Sequence, residues 1–223
     1  MRLAALRAGE TVLDAGTGTG NALALAAGDG RRLIGVDAAP GMLALARPKA
    51  PAAELIEADF AAIPLPDASV DVVMAVHALL FAEDPVAALA EWRRLAVDGG
   101  RLSMSVPGPG ELVPAAVFGA VFDRYAVPWE SDYPNRETLA GWATQAGWTD
   151  VLTDADPTTV IPLRDAEQFR TWLRVRGRGR VTGGWTAERR EQFATELMDA
   201  SPRGPDGEFR LPFGTLYLTA RHR

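Results

Sequence analysis

Short apolar runs alternate with stretches of helical periodicity over the first hundred residues. Thr11–Asp14 is apolar and β-branched, which predicts a strand, and a glycine-rich turn separates it from Asn21–Ala27, whose Ala/Leu composition predicts a helix. The same order then returns, with strands predicted at Arg32–Val36, Ala53–Ile56, Val70–Val76 and Arg101–Val106 and helices at Pro40–Arg47 and Pro85–Val97. Because parallel strands need crossover connections, this alternation predicts a doubly wound α/β fold with a parallel sheet.

The pattern changes after residue 106, where Pro107-Gly108-Pro109-Gly110 interrupts it. Four helices and two strands are predicted beyond this point: Glu111–Tyr125, Asn135–Ala146, Ala166–Val175 and Ala187–Ala200 as helices, and Asp150–Thr153 and Thr215–Ala220 as strands. Gly99-Gly100 is expected to end the helix before the fifth strand. With 223 residues, the chain is expected to form a single domain.

Composition excludes several kinds of chemistry. The chain has no cysteine, which excludes disulfides, thiolate metal sites and cysteine nucleophiles and fits a reducing cytoplasm; no metal is expected. Its formal net charge of −6 argues against nucleic acid as a partner, because nucleic-acid binders usually present a basic face. Its apolar runs are shorter than the roughly 18–20 residues that a bilayer span needs, so no membrane span is expected.

The turn after the first predicted strand carries three alternate glycines, Gly16, Gly18 and Gly20. Glycine lets the backbone approach a ligand closely, and the N–H groups at the start of the following helix favour a negative group. A tight turn with no ligand is the alternative explanation. The spacing is not the G-x-G-x-x-G of dinucleotide sites, so the turn indicates a nucleotide-like ligand without specifying it.

Acidic residues end the next two predicted strands. Asp37 follows Gly20 by 17 residues, where a carboxylate can accept hydrogen bonds from both hydroxyls of a ribose. Asp59 and Phe60 end the third strand and suit the amino group and ring face of an adenine. NAD and S-adenosylmethionine both carry an adenosine, but this pair and the glycine spacing favour S-adenosylmethionine.

Four segments, taken in order, closely resemble the class I S-adenosylmethionine-dependent methyltransferases. They are Val12–Gly20, Gly35–Leu43, Ala58–Phe60 with Ile63–Asp67 and Val70–Val73, and Glu91–Leu102. The rest of the chain resembles, in its layout, the branch of that family that acts on small molecules and is related to ubiquinone-type and natural-product methyltransferases. The resemblance implies a Rossmann-like sheet of seven strands, mostly parallel, whose last strand is antiparallel and inserted between the fifth and sixth. It implies S-adenosylmethionine as cofactor and S-adenosylhomocysteine as product.

The resemblance also implies a role for each matching residue. Gly16, Gly18 and Gly20 line the methionine part with Asp14 near its amino group, Asp37 holds the ribose, Met42 packs at the adenosine, and Asp59 with Phe60 takes the adenine. Each has a structural alternative: Asp37 as a turn cap, Met42 as helix core and Phe60 as core.

His77 follows the fourth predicted strand, where this family often places groups that face the substrate. With an ordinary pKa of about 6.5, a histidine can accept a proton at physiological pH, so His77 is the candidate catalytic base; a structural histidine is the alternative. His222, near the chain end, is expected to have no such role. Acceptor-pocket candidates, each also consistent with packing or surface, are Asp84, Tyr125, Trp129, Asp132 and Tyr133.

Only ten residues precede Thr11, whereas related enzymes usually carry a helical segment there. A helical cover for the acceptor is therefore expected from residues 107–146 and 157–213, or else the pocket is unusually open; residues 11–106 are expected to bind the cofactor. The arginines of Arg174-x-Arg176-x-Arg178-x-Arg180 either bind an anion or lie in a solvated loop. The expected function is methyl transfer to a small organic acceptor. The alternatives are the same fold without methyl transfer, as a binding module or rearrangement enzyme, and a nicotinamide oxidoreductase.

Overall fold

The computed structural model describes residues 4–108, 115–127, 133–175 and 182–223. The strands are β1 (Thr11–Ala15), β2 (Arg32–Asp37), β3 (Glu54–Glu57), β4 (Val70–Val76), β5 (Ala96–Pro107), β6 (Thr149–Asp156), β7 (Val160–Leu163), β8 (Phe209–Pro212) and β9 (Thr215–Arg221). The helices are α1 (Asn21–Leu25), α2 (Pro40–Ala46), α3 (Pro85–Leu95), α4 (Ala115–Tyr125), α5 (Arg136–Gln145), α6 (Ala166–Val175) and α7 (Ala187–Ala200), with a short 3₁₀ turn at Leu79–Phe81.

Seven strands form one sheet in the order β3-β2-β1-β4-β5-β9-β6. Strands β1 to β5 pair in parallel. Strand β9 is antiparallel to β5, because Gly99 and Gly100 near the start of β5 exchange backbone hydrogen bonds with His222, just past the end of β9. The predicted fold class is therefore confirmed, including the insertion of the last strand between β5 and β6.

The central strands are apolar on both faces, as a parallel sheet covered on both sides requires. Val12 and Leu13 of β1 and Val72 and Val73 of β4 have no exposed surface. Trp92 of α3 is fully buried as well. A strand buried on both faces reads as a continuous apolar run, which is why these strands stand out in the sequence.

The chain divides into two compact units. Unit 1 comprises residues 1–107, 134–154 and 216–223, and unit 2 comprises residues 108–133 and 155–215. Unit 1 holds the seven-stranded sheet. Unit 2 has a core of its own, rich in aromatic side chains that include Phe122, Tyr125, Phe169 and Phe193.

Two expectations about the second half of the chain change in the structure. Helix α5, which the prediction included in the first cover segment, packs against α3 within unit 1. The segment 157–213, predicted to be helical, also contains β7 and β8, which form a separate two-stranded antiparallel sheet. Each of these strands contains a proline, which is typical of edge strands and obscured them in the sequence.

The predicted end of α3 is wrong. The helix ends at Leu95, and Gly99-Gly100 lie inside β5 rather than terminating the helix. Ala96 already has an extended backbone and pairs with Val70, and the next pair, Val72 with Arg101, is shifted by a bulge. The glycines therefore allow the irregular backbone of β5 at this bulge, since Gly99 has a positive φ of 77°.

Candidate active site

The predicted site residues follow strands that end at the same edge of the sheet. The register pairs Ala15 with Val36 and Asp37 with Glu57, so the ends of β1, β2 and β3 are level. On the other side of β1, the last residue of β4, Val76, pairs with Ser105. The glycine loop and the turns after β2, β3 and β4 therefore meet at the carboxyl edge, where ligands bind in open α/β sheets.

The three glycines of the loop have different roles. All have positive φ, 73° at Gly16, 55° at Gly18 and 77° at Gly20, which other residues adopt only with strain. A Cβ on Gly16 would lie 2.5 Å from the Cβ of Ala78, and one on Gly20 would lie 2.8 Å from that of Ala46. A Cβ on Gly18 would meet no atom within 4 Å, so Gly18 leaves open space for a ligand.

Asp14 lies beneath the loop. Its side chain is 1% exposed, and its Oδ2 accepts a hydrogen bond of 2.7 Å from the Thr17 hydroxyl. Burial raises its pKa to about 6, the Thr17 bond opposes that rise, and the charge of Asp37 adds to it. Asp14 thus supports the loop from the inside, and contact with a cofactor amino group stays a prediction.

Asp37 ties the loop to the end of β2. Its Oδ2 accepts the Gly18 N–H at 2.8 Å, and its Oδ1 accepts the Ala39 N–H at 3.0 Å. The bond to Ala39 is the turn-capping role that was the structural alternative. Each carboxylate oxygen has a further acceptor site, so the half-buried Asp37 can cap this turn and still bind ribose hydroxyls.

The turn after β3 brings Asp59 and Phe60 to the same edge. Asp59 is exposed, and its Oδ1 accepts the Ala61 N–H at 2.8 Å. Phe60 is half-buried, with its ring 6.0 Å from that of Trp92, and its Cδ1 would lie 3.8 Å from a Cβ on Gly16. Phe60 therefore combines a packing role with a position beside the glycine loop.

Met42 and His77 also lie on this side of unit 1. Met42 is 42% exposed on α2, so it is not the helix core residue that was the alternative. His77 follows β4, is half-buried, and donates its backbone N–H to the Ser105 carbonyl at 2.9 Å. Its φ of 54° is uncommon for a residue other than glycine, and such backbone strain is concentrated at functional sites.

Comparison with known proteins identifies the family. A family model described as "Methyltransferase domain" matches residues 13–104. The chain is 33% identical over 190 residues to a demethylmenaquinone methyltransferase of Deinococcus radiodurans, covering 80% of this chain and 75% of the relative. The chain belongs to the class I S-adenosylmethionine-dependent methyltransferases. Its cofactor is accordingly S-adenosylmethionine.

A second curated relative and one solved structure are also similar to this chain. The chain is 38% identical over 104 residues to a malonyl-[acyl-carrier protein] O-methyltransferase of Serratia marcescens, and the match covers 47% of this chain and 41% of the relative. The chain thus spans less than two thirds of that relative's length. The crystal structure of the YcgJ protein of Bacillus subtilis shares the fold, with a TM-score of 0.66, 19% identity, and coverage of 100% of this chain and 95% of that chain.

The residues present at the carboxyl edge fit S-adenosylmethionine. Gly18 leaves space at the loop, Asp37 offers free acceptor sites at the end of β2, and Asp59 is an exposed carboxylate at the end of β3. One residue that the sequence interpretation missed is Thr17, whose hydroxyl bonds to Asp14 and whose N–H donates to the Val36 carbonyl at 2.8 Å. A hydroxyl residue three positions after the buried acid was the available signal.

Two of the acceptor-pocket candidates, Asp84 and Tyr125, make contacts within the protein. Asp84 caps α3 by accepting the N–H groups of Val86 and Ala87, which is the structural alternative. Tyr125 belongs to unit 2, where its hydroxyl donates to Glu196 at 2.9 Å; burial and that bond raise its pKa. Other candidates lie outside the described residues: Trp129, Asp132, Arg176, Arg178 and Arg180.

Proposed function

We propose that this protein transfers the methyl group of S-adenosylmethionine to a small organic acceptor. The observation that carries the proposal is the meeting of the glycine loop, Asp37 and the Asp59-Phe60 turn at one carboxyl edge, within the residues that match the methyltransferase family. The named relatives act on small molecules or on a carrier-bound acyl group, which supports an acceptor of that size. The described residues include no helix long and apolar enough to cross a membrane.

The chain's own residues supply binding and orientation. Asp37 accepts hydrogen bonds from ribose hydroxyls, Asp59 and Phe60 hold the adenine, and the glycine loop lets the backbone approach the methionine part. When bound, the cofactor supplies an electrophilic methyl group on a sulfonium sulfur. Holding an acceptor in line with that group provides roughly 7–11 kcal/mol of the rate enhancement, so positioning is the main contribution of the protein.

His77 is the proposed base for an acceptor that must lose a proton. The cofactor that Asp37, Asp59 and Phe60 would hold would supply the methyl group, and its sulfur would keep the electron pair of the carbon–sulfur bond when the acceptor takes that group. An imidazole nitrogen of His77 accepts the acceptor's proton and passes it to solvent. Val76 and Phe81, 49% and 59% exposed, give the surroundings of His77 an apolar character suited to an organic acceptor.

The test is a screen of small acceptors with methyl-labelled cofactor, followed by mass analysis of the product. An acceptor that gains one methyl group with stoichiometric release of S-adenosylhomocysteine supports the proposal. Release of a rearranged product of unchanged mass would support the alternative in which the fold binds the cofactor without methyl transfer.

Because the chain lacks cysteine, the proposed place of action is the cytoplasm.

A further inference from the structure

Helix α3 holds the chain segment that follows β3. The indole Nε1 of Trp92 donates to the Phe60 carbonyl at 2.8 Å, and the two rings lie 6.0 Å apart. Trp92 has no exposed surface, so this donor is fixed in the core of unit 1. The carbonyl that it holds belongs to one of the two residues assigned to the adenine.

Glu91 and Arg94, on the same helix, hold the next part of that segment. Glu91 Oε1 accepts the Ile63 N–H at 2.8 Å. Arg94 donates to the carbonyls of Ile63 and Leu65 at 3.1 and 3.0 Å, and also to the Asp67 carboxylate. One guanidinium therefore binds three points of the segment in addition to Glu91, so all five donors of its planar fork are used, whereas an ammonium has only three donors on a single nitrogen.

The two side chains also orient each other. Arg94 donates to both oxygens of Glu91, at 2.7 and 2.8 Å, and this bond is the main cause of the lowered pKa of Glu91. Glu91 therefore stays charged and keeps accepting from Ile63. The guanidinium is 34% exposed, so the ion pair itself contributes little; the bonds to backbone groups do more.

Residues 60–67 form neither helix nor strand. On its flanks, Ala58 N–H donates to the Asp37 carbonyl at 3.3 Å, and the N–H groups of Ala68 and Ser69 donate to the Arg94 and Leu95 carbonyls of α3 at 3.0 and 2.8 Å. Inside the stretch the backbone bonds are short-range, from Ala62 N–H to Asp59 and from Leu65 N–H to Ile63. Such local turns do not fix where the segment lies against the sheet. Its placement depends on the contacts with α3.

We propose that Glu91, Trp92 and Arg94 are positioning residues for adenine recognition: they hold residues 60–67 so that Asp59 and Phe60 are placed to read the base. This inference rests on the proposed function. It also explains why two of the segments that resemble the family, Ile63–Asp67 and Glu91–Leu102, occur together although they are far apart in sequence. They form one hydrogen-bonded unit.

The test compares Arg94→Lys with Arg93→Lys by calorimetry. Arg93 is the matched control, because it neighbours Arg94 on α3 and donates to the Arg223 carbonyl at 3.4 Å instead. Two probes are used, S-adenosylhomocysteine and its deaminated analogue S-inosylhomocysteine. The wild type is expected to prefer the adenine compound by about tenfold, the value of one hydrogen bond to a charged group.

In Arg94→Lys, affinity for S-adenosylhomocysteine is expected to fall about five- to tenfold and the preference over the inosine analogue to shrink to about twofold. Arg93→Lys is expected to keep both values. Equal weakening of both probes would indicate a general loss of structure and overturn the proposal, and so would an unchanged Arg94→Lys. A wild type that binds without preference would also overturn it, whereas a wild type that binds neither probe would overturn the proposed function.

Hydrogen exchange gives a second measurement without any ligand. The Ile63 amide is expected to exchange faster in Arg94→Lys than in wild type, while amides of β4 keep their protection. If Arg94→Lys folds poorly, Trp92→Phe is the second variant, because it keeps an aromatic ring in the core while it removes the donor to Phe60 together with part of the indole volume. An unchanged adenine preference in a folded Trp92→Phe, with unchanged exchange in residues 60–67, would contradict the proposal.

Discussion

Asp37 accepts the Gly18 N–H of the glycine loop with the same carboxylate that is predicted to bind the ribose. Its substitution by alanine removes the acceptor for the Gly18 N–H and, if the prediction is right, the acceptor for the ribose hydroxyls. We expect Asp37→Ala to lower affinity for S-adenosylhomocysteine by roughly 1.5–3 kcal/mol, about ten- to 150-fold, as measured by calorimetry. Glu54→Ala is the control, because Glu54 is an exposed carboxylate at the opposite end of β3. Unchanged affinity in Asp37→Ala would refute the ribose assignment.

His77 combines a strained backbone with a position after β4. Asn tolerates positive φ, so His77→Asn removes the imidazole with little added strain at φ 54°. If His77 is the base, kcat should fall by about 10²–10⁴-fold while cofactor affinity stays within a few fold.

His222→Asn is the control for that experiment. His222 Nδ1 lies 2.9 Å from the Ala96 carbonyl, at the start of β5 and therefore away from the carboxyl edge. This variant should lose stability and keep its kcat. Full activity of His77→Asn, measured on the folded fraction, would remove His77 from the mechanism and leave positioning as the source of catalysis.

Asp14 should make the stability of the protein fall as pH rises, which is the opposite of the effect of a carboxylate whose pKa is lowered by folding. Because its pKa is raised to about 6 in the folded protein, the folded state binds more protons than the unfolded state between about pH 4 and pH 6. The contribution of Asp14 to stability is therefore present below this range and is lost as pH rises through it, by up to about 3 kcal/mol.

The Asp14→Asn variant isolates this contribution, since its amide oxygen can still accept from Thr17. Urea unfolding of both proteins at pH 5 and pH 7 should show the variant gaining stability relative to wild type at the higher pH. A relative stability that does not change with pH would mean that Asp14 keeps an ordinary pKa.

At the scale of elements, two glycines of the loop have different roles: Gly16 is required for close packing, and Gly18 leaves open space for a ligand. Gly16→Ala would push a Cβ against Ala78 at 2.5 Å and should lower the free energy of unfolding by several kcal/mol. Gly18→Ala meets no neighbouring atom, so its cost is the strain at φ 55°, roughly 1–2 kcal/mol. We expect Gly18→Ala to stay folded and lose affinity for S-adenosylhomocysteine. Thermal melts and calorimetry with S-adenosylhomocysteine check both variants, and unchanged affinity in a folded Gly18→Ala would mean that the ligand does not approach Gly18.

The sequence predicted those elements whose signals lie in neighbouring residues of the chain. Strand β4 was predicted at its observed bounds because it is apolar on both faces, and α7 because Thr186 caps it by accepting the Arg189 N–H. The end of α3 was missed because pairing of Ala96 with Val70 overrides the local glycine signal. The same limit applies to the site: its motifs were visible, whereas the bonds from α3 to residues 60–67 join distant parts of the chain.

At the scale of the whole molecule, the predicted cofactor residues all lie in unit 1 and within or beside the family match at residues 13–104. Unit 2 lies outside that match and has its own aromatic core. The assignment of residues 107–146 and 157–213 as an acceptor cover stays a prediction, with α5 now placed in unit 1.

A ligand that binds only the folded protein should raise its melting temperature. A ligand that binds the native state and not the unfolded chain stabilises it by about 2.7 kcal/mol at a hundredfold excess over its Kd. We therefore expect S-adenosylhomocysteine to raise the melting temperature of the wild type and NAD to leave it unchanged. The Asp37→Ala variant loses the acceptor for the Gly18 and Ala39 N–H groups, so it should melt somewhat lower without ligand and still fold. Its shift with S-adenosylhomocysteine should be much smaller than that of the wild type, which would tie the effect to the predicted ribose position. A shift with NAD and none with S-adenosylhomocysteine would favour the oxidoreductase alternative over the methyltransferase, despite the family resemblance.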